Sequence, residues 1–514
     1  MHDPAGPAHR RTRPHRHHLQ HPAPRHPFVG VLAGRPARLL ADDRPVDRRR
    51  MSDAARVSAQ RLHPRDAVFV YDETDTHPST VVGCYACTAT TPLTEAAVLD
   101  WVRDRLGLAP LFHRRLRRVP LDLDLPYWVP HPDPDLRAHV SLRTGGTWDD
   151  ARRVIAELAA TPMDLARPPW EIHVLDLISD VPGLPGETTV VVLKFHHGAA
   201  DGVATRELEL KLFGSDPLPP PPTFDRTPWL PSAALRTASA LTVGTARFAA
   251  GLRRTRTTEP ADLPPPLPTR PATRFNRPVH RPLVFDLVTL PLADIRRARA
   301  ASDTPVTLND LLLTTVSLAL GDYLAERGEL PAGSLAAMVP MSVRGIGWTS
   351  ANQLCQRYVD LHTDVPDPLV RLAAVHRSAA REKQRNVHPD VLRAESRVET
   401  APAWLLRLAG WARARRDYRT VETVPLMNTT VSNVPPVATD LAFLGRPVTR
   451  IFGVLPTMDG DCLRHLVTSQ GEEVVISFST DETAMPDPRH YGDLLRAAFA
   501  TLRDLLVDSG DRAG

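Results

Sequence analysis

Two adjacent histidines followed, three residues later, by Asp-Gly form the segment of this chain best suited to chemistry: His196-His197-Gly198-Ala199-Ala200-Asp201-Gly202. A neutral imidazole titrates near the pH of the medium, so it can take a proton from a hydroxyl as that oxygen attacks a carbonyl. A carboxylate at Asp201 can brace the loop, and Gly202 permits a turn closed to other residues. Gly198, Ala199 and Ala200 are small enough to leave room for a ligand. Metal binding would need a third ligand, and none lies at metal spacing nearby. The plain alternative is a pair of structural histidines at the end of a strand.

The elements that must position this loop can be read from the flanking pattern. Thr188–Phe195 (TTVVVLKF) is a nearly continuous β-branched run, which predicts a buried strand ending at the histidines. Gly202–Phe213 predicts the helix that follows, so the histidines fall where a strand gives way to a helix, a common place for catalytic loops. Upstream, Asp66–Tyr71 reads as a short apolar segment, Thr80–Thr88 as a strand, and Leu93–Leu106 and Trp148–Ala160 as helices. Pro217–Pro222 opens a proline-rich region reaching Pro282, read as a linker because proline is excluded from helix and sheet interiors. Inside it, Ser232–Arg254 is a candidate amphipathic helix with Leu241, Phe248 and Leu252 on one face. Contact with a membrane or lipid droplet and packing on its own protein both remain open for it. The second half supplies strands at Leu283–Leu290, Leu335–Val339 and Val474–Phe478, and helices at Leu292–Ala301, Leu308–Arg327 and Tyr491–Val507. Strands and helices alternate in both halves, which indicates α/β architecture. The expected organisation is an extension over 1–56, an N-terminal domain over 57–213, a linker over 214–282 and a C-terminal domain over 283–510.

Bulk properties narrow the function classes. A chain of 514 residues is too long for one core, so two domains are expected. Residues 1–50 hold eleven arginines, no lysine and four aspartates, a net of +7. Since the whole chain carries +4, the remainder carries about −3 and gives no reason to expect nucleic acid as a partner. The basic segment, rich in Arg, His and Pro, reads as a disordered extension, or as upstream sequence preceding a true start at Met51. No run approaches the ~18 apolar residues of a membrane span. Four cysteines argue against a disulfide framework and for a reducing cytoplasm. Cys84 and Cys87 have CxxC spacing, but in a strand they face opposite sides, so neither a redox pair nor a zinc site is expected.

The histidine motif and a set of shorter segments resemble the bacterial wax ester synthase/acyl-CoA:diacylglycerol acyltransferase family, whose hallmark is HHxxxDG. Leu62–Tyr71 (LHPRDAVFVY), Met163–Glu171 (MDLARPPWE), Thr307–Asp310 (TLND), Val339–Arg344 (VPMSVR), Ala351–Gln353 (ANQ) and Val431–Pro436 (VSNVPP) follow in the family's order. The resemblance spans about residues 60–490. It implies two chloramphenicol-acetyltransferase-like α/β domains with the active-site channel between them, entered by acyl-CoA and acceptor from opposite sides. His197 would then be the general base, with His196 and Asp201 supporting it. Asn309 would help to position the acyl carbonyl or stabilise the tetrahedral intermediate; its alternative is to cap the long apolar helix. Gly198, Gly202, Trp170 and Asp310 would line the substrate site. The implied reaction moves a long-chain acyl group from acyl-CoA to a diacylglycerol or a long-chain alcohol, by direct attack and with no cofactor and no metal. Peripheral contact with the inner membrane face or lipid droplets would follow. Pro169, Ala351 and Pro436 depart from the family's usual Leu, Gly and Gly, which bears on acceptor preference. A same-fold enzyme acting on a sugar or secondary-metabolite hydroxyl, and a non-catalytic lipid-binding protein, are the competing readings.

Overall fold

The computed structural model describes residues 56–200, 202–225, 229–230, 245–254, 263–302, 305–343, 350–418, 425–434 and 440–513. The extension expected over 1–56 therefore lies, apart from Arg56, outside the described residues. Helix α1 (Pro64–Tyr71) begins at His63, whose ring accepts the Arg65 N–H at 3.2 Å, and it places Pro64 in the first turn, where no amide is needed. The apolar segment at Asp66–Tyr71 is thus a helix. Counting the strands of the two large sheets and the α-helices, the first half continues with β1 (Thr80–Thr88), α2 (Glu95–Arg105), β2 (Val140–Thr144) and α3 (Trp148–Ala160). Then come β3 (Trp170–Ile178), β4 (Thr188–His196), α4 (Gly202–Phe213) and, in the linker, α5 (Thr245–Arg254). The second half contains β5 (Leu283–Pro291), α6 (Leu292–Ala300), α7 (Leu308–Ala325), β6 (Ala336–Ser342), β7 (Leu354–Asp360), α8 (Pro368–Asn386) and α9 (Pro389–Glu395). It ends with α10 (Ala403–Ala414), β8 (Thr429–Asn433), β9 (Ala442–Phe443), β10 (Arg446–Val454), β11 (Arg464–Gln470), β12 (Glu473–Asp481) and α11 (Pro488–Ala513).

Two six-stranded sheets organise these elements, ordered β9–β10–β1–β4–β3–β2 and β5–β12–β11–β8–β6–β7. Both are mixed: β2 runs parallel to β3, and β8 runs parallel to β6 and β11, while the remaining pairs are antiparallel. The expected boundary at 283 does not divide the sheets. Although β9 and β10 come from the second half, β10 pairs with β1 and completes the first sheet. The first sheet needs them, because β1 would otherwise expose an unpaired edge.

Strand β4 is buried along its full length, which accounts for its unbroken β-branched run. Val191, Leu193 and Phe195 pack with Trp101, Leu208 and Phe213, while Val190 and Val192 pack with Trp148, Ile155, Phe285 and Phe452 on the other face. That second cluster joins residues of both halves. Helix α7 is buried nearly all round, as its uniformly apolar sequence requires. In α5, Phe248 turns onto the protein, packing beside Leu62, Val70 and Leu406, whereas residues 232–244 of the candidate amphipathic helix lie outside the described residues.

The exchanged strand is locked by charge. Asp176, on β3 and with no exposed surface, accepts from Arg446 Nη1 at 2.9 Å, Thr189 Oγ1 at 2.6 Å and the Leu93 N–H at 2.7 Å. Arg446 opens β10 and also donates to the Thr91 carbonyl. A buried guanidinium stripped of its carboxylate is strongly unfavourable. Asp176→Ala is therefore expected to destabilise the protein by about 3–5 kcal/mol, measured as a fall in the urea unfolding midpoint. An unchanged midpoint would show that the strand is held by other means.

Candidate active site

The paired histidines have different surroundings. His196 is the last residue of β4, opposite Thr80 in the register, and its ring is fully buried. Its Nδ1 accepts the Gly198 N–H at 3.0 Å, and its Nε2 lies 3.6 Å from Glu73 Oε2. A ring whose Nδ1 accepts carries its proton on Nε2, facing that carboxylate. His196 thus fixes the turn after the strand. Glycine suits position 198, because an added Cβ would sit tightly, 3.0 Å from His196 Nδ1 and 3.1 Å from the Asp66 carbonyl oxygen. Close packing explains it, and it is not among the residues bordering the cavity described below.

His197 turns the other way and borders a cavity. Its ring stacks on Phe69 of α1, with centroids 4.1 Å apart and planes 8° from parallel. Its backbone is held at both ends: the N–H donates to the Ser79 carbonyl at 2.7 Å, and the carbonyl accepts from Asn352 Nδ2 at 2.8 Å. Asn352 belongs to the second half, so a side chain from one half holds the histidine of the other. Asn352 is itself seated on Asp66 of α1. The buried Asp66 carboxylate accepts the Ala351 N–H at 3.0 Å, the Asn352 N–H at 2.8 Å and Asn352 Nδ2 at 2.8 Å. Burial pushes the Asp66 carboxyl above its ordinary value, and the Asn352 amide and these two N–H groups pull it back.

The cavity bordered by His197 has a volume of about 1700 Å³ and takes its walls from both halves. That exceeds the ~300–1,000 Å³ usual for small-molecule pockets. Val68, Phe69, Phe248, Met338, Leu405 and Met427 give it broad apolar walls. Asn309 borders it from the first turn of α7, but it does not cap that helix. Thr307 does, in a reciprocal box in which its side chain accepts from the Asp310 N–H at 3.2 Å and Asp310 Oδ2 accepts the Thr307 N–H at 2.9 Å. Asp310 also borders the cavity, yet its carboxylate is further engaged by His376 Nδ1 at 2.8 Å. His77, on the first-half side, is pushed down to about 4 by burial, so it is a neutral wall residue.

Five of the six short segments that carry the resemblance converge on this cavity, through Phe69, Asn309, Ser342, Asn352 and Asn433 among others. The exception is Met163–Glu171. Trp170 is fully buried away from the cavity walls, its indole N–H donating to the Phe112 carbonyl at 3.3 Å and its ring stacked on His139. The structure therefore makes Trp170 a core residue where the sequence suggests a substrate contact. Gly202 begins α4, and Asp201 lies outside the described residues.

Comparison with known proteins agrees. The wax ester synthase/diacylglycerol acyltransferase catalytic domain matches residues 62–312, and the C-terminal domain of the same proteins matches residues 351–503. The chain belongs to the wax ester synthase/diacylglycerol acyltransferase family. It is 29% identical over 410 residues to a probable diacylglycerol O-acyltransferase of Mycobacterium tuberculosis, covering 75% of this chain and 83% of that protein. A second, putative diacylglycerol O-acyltransferase of that organism is 27% identical over 483 residues, covering 88% of this chain and 91% of that protein. Among solved structures, the wax ester synthase/diacylglycerol acyltransferase of Marinobacter aquaeolei aligns with a TM-score of 0.59 at 21% identity, over 87% of this chain and 100% of that one. Trichothecene 15-O-acetyltransferase of Fusarium sporotrichioides aligns with a TM-score of 0.52 at 14% identity, over 87% and 96% of the two chains. At such identities the structures establish the fold, which is the expected pair of chloramphenicol-acetyltransferase-like domains.

In this acyltransferase, Asp66 carries the junction, and nothing local in the sequence marks it. An acidic residue in the first turn of a helix is ordinary, because it suits the helix dipole; that this one is buried against residues 351–352 depends on the second half. Asp66→Ala would leave three buried donors unmatched and let the His197 loop drift. The expected result is a loss of about 1–3 kcal/mol in stability and, since small misplacements of a group at the cavity wall are costly to a reaction held there, a fall in turnover of about 10²-fold. Urea unfolding and the initial rate of thiol release measure the two effects; wild-type values in both would exclude a clamping role.

Proposed function

We propose that this acyltransferase moves a long-chain acyl group from acyl-CoA to the hydroxyl of a diacylglycerol or a long-chain alcohol, with His197 as general base. The observation that carries the proposal is the His197 imidazole at the wall of a large cavity with apolar walls, where a long acyl chain and a hydrophobic acceptor fit better than a polar one. In the proposed reaction the acceptor O–H gives its proton to the imidazole as the oxygen attacks the thioester carbonyl carbon. The tetrahedral intermediate collapses with loss of the thiolate, which takes the proton back from the imidazolium and leaves as free CoA thiol. The Asn309 amide has the donor character needed to stabilise the intermediate's oxyanion, and the Asn352–Asp66 contacts keep the His197 backbone still meanwhile. Stacking on Phe69 limits the rotation of the ring.

Purified protein, offered palmitoyl-CoA with dioleoylglycerol, hexadecanol or a polar alcohol, is expected to release thiol and form ester with one or both lipids. The same assay on His197→Ala is expected to show a fall of about 10²–10⁴-fold with an unchanged unfolding midpoint. Turnover with the polar alcohol alone would favour a sugar or metabolite acceptor. Absence of turnover with all three, or full activity of the variant, would overturn the proposal.

A further inference from the structure

Strand alternation decides which residues of β11 meet the cavity. Arg464, Leu466 and Thr468 border it, while Val467 packs in the second-half core and His465 bonds to Tyr491 at 2.9 Å. Two of the three Arg464 nitrogens are engaged by the protein: Nη1 donates to the Pro456 carbonyl at 2.8 Å, and Nε lies 3.0 Å from Asp461 Oδ2. Thr430, opposite Arg464 in the register of β8 and β11, donates to the same carboxylate oxygen at 2.7 Å. Nη2 makes no hydrogen bond among the described residues. The guanidinium is thus fixed in place with one nitrogen still unbonded.

His77 brings a second donor from the first half. Its backbone is closed on Thr74, the His77 N–H donating at 3.0 Å and the His77 carbonyl accepting at 3.2 Å. The residue is 9% exposed and borders the same cavity, and its ring has no hydrogen-bond partner among the described residues. Burial, followed by the charge of Arg413, keeps the ring neutral, with Asp459 opposing and Arg464 also within electrostatic reach. One ring nitrogen of a neutral imidazole carries a proton to donate. Ser79, whose carbonyl takes the His197 N–H, follows two residues later, at most about 7 Å of chain. The two donors therefore face one another near the histidine loop.

A ligand for this pair must offer acceptors. Asp461 offsets the charge of Arg464, and Asp459 lies within reach of His77, so a phosphate would find little net positive charge here. Neutral carbonyl oxygens suit such donors. A diacylglycerol carries two of them, a few bonds from its free hydroxyl, and a long-chain monoalcohol carries none. A site whose donors are left unmatched by the wrong ligand discriminates against it.

We propose that His77 and Arg464 donate to the ester carbonyl oxygens of a glyceride and so select diacylglycerol over a simple long-chain alcohol. Calling that glyceride the acceptor rests on the acyl-transfer reading; its recognition does not. The test is titration calorimetry of the full chain with dioctanoylglycerol and with di-O-octylglycerol, which has the same outline and no carbonyl. Wild-type protein is expected to bind the ester about tenfold more tightly than the ether. His77→Phe keeps a ring and removes the donor, and the double variant Arg464→Leu, Asp461→Leu leaves no charge unpaired. Each is expected to lose most of the ester preference. If the double variant is unstable, His77→Phe decides, since its ring has no bond to lose. Equal binding of the two glycerides by wild-type protein, or an undiminished preference in His77→Phe, would overturn the proposal. So would a raised KM for palmitoyl-CoA in His77→Phe with the ester preference intact, which would assign the donor to the thioester substrate. An ester preference without any thiol release from palmitoyl-CoA would retire the acyl-transfer reading and support the glyceride site.

Discussion

The Asp66 carboxylate sits where the two halves of the molecule meet, and the geometry of the site follows from how its charge is satisfied. Removed from water, a carboxylate is costly unless donors replace its hydration. Here all three donors come from residues 351–352, more than 280 positions away, and one of them also holds the His197 carbonyl. The dependence runs both ways: without the loop Asp66 is a buried charge with no solvation, and without Asp66 the loop has buried N–H groups with no acceptor. The histidine, the stacking ring of Phe69 and the second-half asparagine are therefore arranged by one interaction that exists only when both halves are in place.

Around that junction the protein separates tasks among groups that look alike in sequence. Of two neighbouring histidines, one is sealed in the sheet and shapes the turn, and its neighbour reaches the cavity. Of the neighbours Asn309 and Asp310, the carboxylate is spent on the start of α7 and on His376, which leaves the amide to the cavity. Neighbours in the sequence thus have different duties in the fold, set by the partners that each side chain meets.

Parts of this were legible from local pattern because the physics was local. β4 announces itself through burial on both faces, and α3 and α4 have the bounds that their periodicity predicts. Other parts depend on distant partners and leave no local trace. β10 carries Arg446 and Arg450, which argue against a buried strand until Asp176 and Glu473 are known to meet them. β3 carries Glu171, whose carboxyl is drawn down to about 2 by hydrogen bonding and charge from His173 and Lys194, against the opposing effect of burial. Trp170 belongs to a segment that precedes the histidine motif in sequence, yet it is buried in the core away from the cavity, because nearness along the chain does not imply nearness in space. Asp66 and Asn352 lie within segments that carry the family resemblance, but their partnership is a property of the docked halves.

The passage of β10 into the first sheet has a consequence for how the chain is made. A ribosome that has finished the histidine loop has produced β1 with one side open, and its pairing partner emerges only some 250 residues later. Until then the nascent sheet presents a row of unmatched amides and carbonyls, the template on which strangers pair. Synthesis of such a topology favours prompt shielding by chaperones, and halves produced as separate polypeptides would each lack what the other provides.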